Sequence, residues 1–257
     1  GYGSDGDGTG HDFVAWCWKA GNDTTENFDG TITVKTSVNQ DAGFSIITGT
    51  TANVEANDMA ETFGHGLDTT PEVLLFRNLE HPSATQHARV FFPPLTTSNL
   101  KGLPLSTGAL FTNGSYKTFE INGNLIGIGR EAVEHNGDKF VCYAWHSVEG
   151  YSKFGSYEGN NNADGAFVYL GFKPAWVMIK NVDATGNWQI LDNKRNPTNP
   201  ANDFLRANAT TAETSNYDVD FLSNGFKLRN TDQDYNTAHT FFYMAFAEMP
   251  FKYANAR

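Results

Sequence analysis

The sequence has few cysteines, few basic residues and no long apolar run. Only 2 of its 257 residues are cysteine, too few for the disulfide framework of a small secreted scaffold. Lys and Arg number 18 against 29 Asp and Glu, for a formal net charge of −11. This balance argues against a nucleic-acid partner, because phosphate binding relies on clustered basic residues. No run reaches the roughly 18 apolar residues of a membrane-spanning helix, so no membrane insertion is expected.

The sequence also has few charged residues and no stretch with the periodicity of a helix. Charged residues make up 18% of the chain, below the typical level of about 25%. Asn, Thr, Ser and Gly take their place, which is common in extracellular and virion β-proteins. Short apolar runs alternate with turns rich in Gly, Asn and Pro. The pattern predicts an all-β fold built from β-sandwich units of jelly-roll or lectin-like type.

One aromatic stretch occurs in three versions, H-D-F-V-A-W-C-W-K-A-G from His11, K-F-V-C-Y-A-W-H-S-V-E-G from Lys139 and H-T-F-F-Y-M-A-F-A-E-M-P-F from His239. Phe13, Phe140 and Phe241 align, at separations of 127 (140 − 13) and 101 (241 − 140) residues. These separations match a small domain, so the chain is interpreted as a duplicated unit. The predicted division is 1–21 as the last hairpin of a preceding unit, 22–151 as a first β-sandwich unit and 152–257 as a second.

The repeated stretch is apolar on both faces. Successive strand residues point to opposite sides, so the copy at 139–150 carries one face of Phe140, Cys142 and Ala144 and another of Val141, Tyr143 and Trp145. An antiparallel strand with one wet face would alternate apolar and polar residues. The stretch is therefore predicted to form inner strands that are covered on both sides.

Both cysteines lie in this stretch. Cys17 aligns with Ala144 and Cys142 with Ala15, so each position takes a small residue. Because free Cys is among the most buried residue types, each is predicted to be a small buried thiol. A disulfide between equivalent strands would need backbones within about 7 Å of each other.

Proline and asparagine mark a second correspondence between the units. Pro71 pairs with Pro174 and Asn78 with Asn181, both at a separation of 103 residues (174 − 71 and 181 − 78). An apolar run lies between the proline and the asparagine in each unit. The pattern predicts a buried strand between two turns.

The N-terminal loop contains a weak candidate for a metal site. Asp5, Asp7 and Thr9 before Gly10 resemble the first half of a calcium loop. The twelfth position counted from Asp5 is Trp16, where such a loop needs Glu. No metal and no cofactor is therefore expected.

Catalytic arrangements are weak as well. Asp218 and Asp220 have the spacing that could bring two carboxylates to about 5 Å in a retaining glycosidase, but the first unit keeps only Glu120 nearby. His65 and His146 have no further ligand at metal-binding spacing. His65 is predicted to bond locally in a turn and His146 to lie at the exposed end of a strand. No catalytic residue is assigned, and the chain is not expected to be an enzyme.

Glycan binding is the positive hypothesis for a site. Sugars stack on exposed aromatic rings and bond to surrounding amides and carboxylates, and 14% of this chain is aromatic. The candidate residues are Tyr157, Asn160, Asn161, Asn162, Asp164, Asn187 and Trp188. The alternative is that Tyr157 and Trp188 are core residues, since their counterparts in the first unit, Ile46 and Ala88, are apolar.

Several long motifs carry a family resemblance: F-V-A-W-C-W-K-A-G from Phe13, E-G-Y-S-K-F-G-S-Y from Glu149, G-F-K-P-A-W-V-M-I-K from Gly171, D-F-L-S-N-G-F-K-L-R from Asp220 and M-A-F-A-E-M-P-F-K-Y-A-N-A-R from Met244. With them the chain resembles an uncharacterised repeat domain of tail-fibre-like and other virion surface proteins of bacteriophages, many of them marine.

The resemblance implies a structural protein of the virion, assembled in the host cytoplasm and then extracellular. Its partners would be other copies of itself in a homotrimer, other virion proteins and a glycan of the host surface. A stand-alone carbohydrate-binding module is the alternative, and a polysaccharide-degrading enzyme is a third.

Overall fold

The computed structural model of the protein describes residues 14–54, 61–80, 88–95, 101–112 and 116–248. Strands and turns make up this part of the chain, and the predicted all-β class is confirmed. No helix long and apolar enough to cross a membrane occurs among the described residues.

Strands β1 to β11 fall in the first predicted unit. They are β1 Thr25–Asn27, β2 Val34–Asn39, β3 Phe44–Thr50, β4 Glu61–Gly64, β5 Val73–Asn78, β6 Ala88–Phe91, β7 Lys101–Pro104, β8 Phe111–Thr112, β9 Phe119–Asn122, β10 Leu125–Ile128 and β11 Lys139–Trp145. Strands β12 to β19 fall in the second. They are β12 Ser152–Glu158, β13 Phe167–Tyr169, β14 Pro174–Asn181, β15 Trp188–Asp192, β16 Ala201–Arg206, β17 Thr214–Leu222, β18 Gly225–Leu228 and β19 Thr240–Ala247.

The two groups of strands share one order. The first forms an eight-stranded sheet, β1-β2-β3-β11-β5-β6-β7-β8, and a three-stranded sheet, β4-β10-β9. The second forms a single eight-stranded sheet, β12-β19-β14-β15-β16-β17-β18-β13. The run β3-β11-β5-β6-β7 therefore matches β12-β19-β14-β15-β16, and β9-β10-β4 matches β17-β18-β13. The exact unit boundaries remain a prediction.

The repeated stretch forms equivalent central strands. β11 pairs with β3 on one side and β5 on the other, and β19 pairs with β12 and β14. Phe140 and Phe241 thus occupy the same place in the two sheets, and both are fully buried. The prediction of inner strands covered on both sides is confirmed for these two copies.

One face of each central strand packs inside its own unit. In the first unit, Phe140 lies 5.1 Å from Phe63 and 5.2 Å from Phe76 between ring centroids, so the large sheet packs on the three-stranded one. In the second unit the single sheet curls so that its two end strands, β12 and β13, approach each other without pairing among the described residues. Lys153 of β12 donates a hydrogen bond to the backbone carbonyl of Tyr169 on β13 at 2.8 Å.

The other face of each central strand packs between the units. A shared core joins Tyr143 and Trp145 of β11 to Phe242, Met244 and Phe246 of β19. A shared core also explains why both faces of the repeated stretch are apolar, because each sheet covers its own unit with one face and the neighbouring unit with the other.

Contacts from loops extend the shared core. Phe92 of the first unit lies 5.1 Å from Phe242 of the second between ring centroids. Trp188 donates its indole N–H to the carbonyl of Pro104 across the same junction, at 3.0 Å. The first and second units are therefore joined by ring packing and by a buried hydrogen bond.

The N-terminal copy of the stretch differs from the other two. Phe13 lies outside the described residues, as does the rest of 1–13, and the described part, residues 14–21, forms no strand. Trp16 and Trp18 instead pack edge-on against Trp176 of the second unit, at 6.5 and 5.2 Å between centroids. A strand assignment for residues 14–21 was therefore wrong, since no hydrogen-bonded neighbour strand accompanies them within the described chain.

The cysteines follow this difference. Cys142 is fully buried in β11, as predicted. Cys17 is exposed, so its predicted burial was wrong; the tryptophans beside it cover the second unit, and the opposite side of the segment faces solvent. Both thiols are free.

Asn78 and Asn181 close equivalent turns after β5 and β14. Each side-chain oxygen accepts a backbone N–H two residues further on, at 2.9 and 3.1 Å. Each amide group also reaches the loop before the central strand, at Asp138 (2.7 Å) and His239 (3.1 Å) respectively. The predicted turn after a buried strand is confirmed in both units.

Candidate functional site

The asparagine-rich loop of the predicted glycan site is exposed but largely bonded to itself. Asn160 donates to the carbonyl of Asp164 at 3.1 Å and accepts the N–H of Asn162 at 3.1 Å. Asn162 in turn accepts the N–H of Asp164 at 2.9 Å. Asn161 has a φ of 52°, in the left-handed region that asparagine tolerates. The Asn160 and Asn162 side chains therefore shape the loop.

The two predicted aromatic residues lie in the core. Tyr157 donates its hydroxyl to the carbonyl of Tyr235 at 2.6 Å and stacks on Phe241 at 5.2 Å between centroids. Burial raises the pKa of Tyr157 well above its ordinary value. Trp188 is 0% exposed. The Trp188 ring therefore has no face exposed to a sugar, whereas Tyr157 is partly buried and packs against the core of the second unit.

Asn187 is also bonded within the protein. Its amide N–H donates to the carboxylate of Asp234 at 3.3 Å, and its oxygen accepts from Asn208 at 3.1 Å. The loop that carries Asp234 also carries Asn236, which donates to the carbonyl of Asn162 at 2.8 Å. The structure thus connects the predicted residues through one loop, as a scaffold.

Two exposed aromatic residues follow the asparagine-rich loop directly. Phe167 is 45% exposed and Tyr169 is 59% exposed, whereas Val168 between them is 6% exposed. Alternation along β13 therefore puts both rings on the outer face, about 7 Å apart along the strand. We call Phe167, Tyr169 and the neighbouring Lys153 and Lys227 the β13 platform. Sequence analysis missed it, although the F-V-Y alternation between two glycines was a signal.

Gly225 allows β13 to lie close to β18 beneath the platform. It faces Tyr169 across the strand pair, and a Cβ there would clash with the backbone oxygen of Val168 and lie 3.1 Å from the ring of Phe167. The ring of Phe167 therefore lies over a position without a side chain. Gly171, with a φ of +88°, turns the chain just after Tyr169.

Charged side chains surround the platform in pairs. Lys227, opposite Phe167, binds the Asp164 carboxylate at 2.8 Å, and its hydrogen bond lowers the pKa of Asp164. Arg229 binds Asp220 at 2.5 Å. Asp220 also lies opposite Lys227 across β17 and β18. Asp220 thus forms an ion pair with Arg229, whereas a retaining glycosidase would use it as one of two neighbouring carboxylates.

Lys153 completes the platform on the side of β12. Its ammonium group lies 5.2 Å from the centroid of the Tyr169 ring, in the range of a cation–π contact. The same ammonium group bonds to the backbone of Tyr169. One edge of the Tyr169 ring is therefore held in place while much of its surface stays exposed.

The first unit has no such platform at the equivalent position. Leu125 is the first residue of β10, and Gly225 is the first residue of β18, so the two positions are equivalent. The cross-strand partner of Leu125 is Gly64, whereas that of Gly225 is Tyr169. By the same register Thr62 takes the place of Phe167. Small residues therefore stand where the second unit has two aromatic rings.

The chain itself covers this edge in the first unit. Gly30 forms an isolated bridge with Phe63, and Gly64 donates its N–H to the carbonyl of Asp29 at 2.9 Å. In the second unit, β13 pairs with β18 alone among the described residues. The same sheet edge is thus covered in one unit and open in the other.

The two histidines singled out in the sequence are bonded within the protein. His65 accepts the N–H of Leu67 at 3.1 Å and bonds to the carbonyl of Gly123 at 3.0 Å, and burial lowers its pKa. The predicted local turn is confirmed. His146 lies just past β11 and is half-buried. No group of three His, Cys, Asp or Glu able to hold a metal occurs among the described residues; Asp5, Asp7 and Thr9 lie outside them.

A separate cleft lies where the N-terminal segment meets the first unit. It has a volume of about 650 Å³, and its lining includes Lys19, Asn22, Gln40, Asp41 and Tyr151. Burial raises the pKa of Tyr151. Gln40 is occupied by hydrogen bonds to the backbone of Gly66 and Asp68. The cleft is therefore a second concave surface, distinct from the β13 platform.

These features define an all-β protein of two stacked units that carries an exposed pair of aromatic rings on β13. The chain matches a domain of unknown function, DUF7483, over residues 2–250, and it belongs to that family. The match spans both units, in agreement with their shared core. Comparison with curated proteins and with solved structures found no match.

Proposed function

We propose that the protein is a structural module of a virion appendage, resembling a tail fibre, that presents β-sandwich units for attachment to a host surface. The observation that carries this proposal is the shared core, in which equivalent faces of two similar sheets pack on each other. Packing of this kind makes the two units one rigid body, which suits a structural part of a larger particle. The sequence resemblance to virion surface repeats supports the same role.

The proposed partners follow from that role. The module would assemble with copies of itself as a homotrimer and with other virion proteins, in the host cytoplasm before release. Its non-catalytic character is part of the proposal. The aromatic residues of the β13 platform are available for contact with the host surface.

Light scattering at micromolar concentration tests the proposal. A homotrimer should have a mass of about 85 kDa, three times the 28.3 kDa of the chain. A monomer at every concentration would favour the alternative function, a stand-alone carbohydrate-binding module, for which the exposed rings of Phe167 and Tyr169 are the supporting observation.

A polysaccharide cleavage assay tests the non-catalytic character. The wild-type chain and the Asp220→Asn variant should both leave polysaccharides intact. The reason is the ion pair of Asp220 with Arg229 at 2.5 Å, which engages this carboxylate in a structural contact. Cleavage by the wild type that disappears in Asp220→Asn would instead establish a polysaccharide-degrading enzyme.

A further inference from the structure

We propose that the β13 platform binds neutral oligosaccharide, with sugar rings stacked on Phe167 and Tyr169. The inference rests on the proposed attachment role and names its ligand class. It places the ligand on the outer face of the second unit, beside the asparagine-rich loop rather than on the buried rings of Tyr157 and Trp188.

The exposed rings have the character that a sugar requires. Phe167 and Tyr169 are 45% and 59% exposed on one face of one strand, whereas most large apolar side chains of this chain are buried. An exposed pair of rings rimmed by polar groups is typical of a binding surface. The C–H faces of a pyranose pack on such rings, and the Tyr169 hydroxyl supplies a polar group at the edge.

The charges around the rings favour a neutral ligand. Lys227 is paired with Asp164 and Arg229 with Asp220, and the Lys153 ammonium lies against the Tyr169 ring. Three cations thus stand beside two carboxylates, and two of these cations are already paired, so little positive charge is left for an acidic ligand. In each pair the carboxylate can accept a hydrogen bond from a sugar hydroxyl, and the cation can donate a hydrogen bond to one.

The pairs also hold the polar groups in place before a ligand arrives. Asp220 is largely buried, with 13% of its side chain exposed, and Arg229 and Lys227 are anchored by the carboxylates beside them. Less side-chain freedom is then lost on binding, which favours affinity. Asp164, with 80% of its side chain exposed, is the group most accessible to a hydroxyl.

The first unit shows that the fold does not require these rings. At the equivalent positions it carries Thr62 and Gly64, and there the edge is covered by residues 29–31 of the chain. In the second unit the corresponding edge carries two rings and stays open within the described chain. Aromatic residues that are unnecessary for the fold, at an uncovered edge, point to a ligand.

A variant built from the chain's own duplication tests the proposal. Phe167→Thr with Tyr169→Thr replaces both rings by the residue that the first unit has at position 62 and avoids a new glycine in the edge strand. The matched control is Phe28→Ala, which removes a ring that is 71% exposed elsewhere. Tyr169→Trp keeps a stacking surface. Circular dichroism and the urea midpoint establish that each variant is folded.

The wild type should bind neutral oligosaccharides on a glycan array, and titration calorimetry of one positive glycan should give its Kd. The double variant should lose about tenfold or more in Kd, a factor that corresponds to the loss of two ring contacts. Phe28→Ala should bind as the wild type does, and Tyr169→Trp should retain binding.

Several results would overturn the inference. They are an array without a neutral-glycan signal, a double variant that binds as well as the wild type, and binding that is lost in Tyr151→Ala, which would place the ligand in the junction cleft. A change in oligomeric state in the double variant would show that the platform is an interface between copies. A trimer without glycan binding would refute this inference alone, whereas a monomer that binds glycan would refute the appendage role alone.

Discussion

Lys180 is the most unusual ionisable residue in the junction between the units. It is fully buried, and its ammonium group donates to the carbonyls of Thr107 in the first unit and Gly186 in the second, at 3.2 and 2.8 Å. Burial lowers the pKa of Lys180 to about 8, although the negative charge of Asp234 opposes this shift. The protein therefore holds a costly positive charge near neutral pH.

The pH dependence of stability should reveal this charge. Between the folded pKa of about 8 and the ordinary value of 10.5, the unfolded state binds more protons at Lys180 than the folded state does. The free energy of unfolding should therefore rise with pH in that window, and below about pH 8 the contribution is constant. Burial also raises the pKa of Tyr243 to about 12 and the pKa of Cys142 above its ordinary value of 9.0. These two groups lower stability above about pH 10 and about pH 9 respectively, so urea titrations should stay between about pH 7.5 and 9.

Lys180→Met should flatten this rise, because the aliphatic stem remains while the titrating amine is lost. Lys139→Met is the matched control, since 67% of the Lys139 side chain is exposed, and it should keep the slope of the wild type. A Lys180→Met variant with an unchanged slope would contradict the assignment.

The cysteines should differ in reactivity. Cys17 is exposed and Cys142 is buried, and burial raises the pKa of the Cys142 thiol. Because the thiolate is the reactive form, alkylation of the native protein should add one group, at Cys17, and alkylation after unfolding should add two. Mass spectrometry checks both numbers, and two groups on the native protein would argue against the packing of β11.

Residue roles were predictable from the sequence where the local bonds decide them. Asn78 and Asn181 could be assigned to turns because a side-chain amide beside a strand end bonds to the nearby backbone. The exposure of Tyr157 and Trp188 could not be assigned, because it depends on which element covers that face. The burial of Cys17 was predicted wrongly for the same reason, because no element of the described chain covers that side of the segment.

At the scale of elements, the central strands could be predicted from the sequence, but the layers that pack on their two faces could not. Two apolar faces indicate a strand between two layers, and β11 and β19 are such strands. The sequence does not say which layer covers each face, and here the second layer is the other unit. Residues 14–21 show the converse, since an aromatic stretch forms no strand without hydrogen-bonded neighbours.

Truncation of one core ring in β19 should strongly destabilise the protein. Phe242 is fully buried, and its ring lies 5.1 Å from Phe92 and 6.1 Å from Trp188 between centroids. Phe242→Ala should lower the free energy of unfolding by about 3–5 kcal/mol. Phe28→Ala should change it by less than about 0.5 kcal/mol. Urea titration measures both, and similar small effects would mean that the shared core is poorly formed.

At the scale of the whole molecule, the shared core should make unfolding cooperative. Separation of the units would expose rings of both, including Trp145 and Trp176. Calorimetry should therefore show one transition with equal calorimetric and van't Hoff enthalpies, and tryptophan fluorescence should follow far-ultraviolet circular dichroism. Two resolved transitions would show that residues 22–151 and 152–257 are independently stable.

The contrast between the covered edge of β4 and the open edge of β13 bears on how such a protein diversifies. Substitutions at 167 and 169 disturb few internal contacts. The corresponding positions in the first unit, Thr62 and Gly64, are constrained because residues 29–31 are hydrogen-bonded along that edge. Sequence change at an exposed surface can therefore accumulate in one half of the molecule, while the half beside it preserves the architecture.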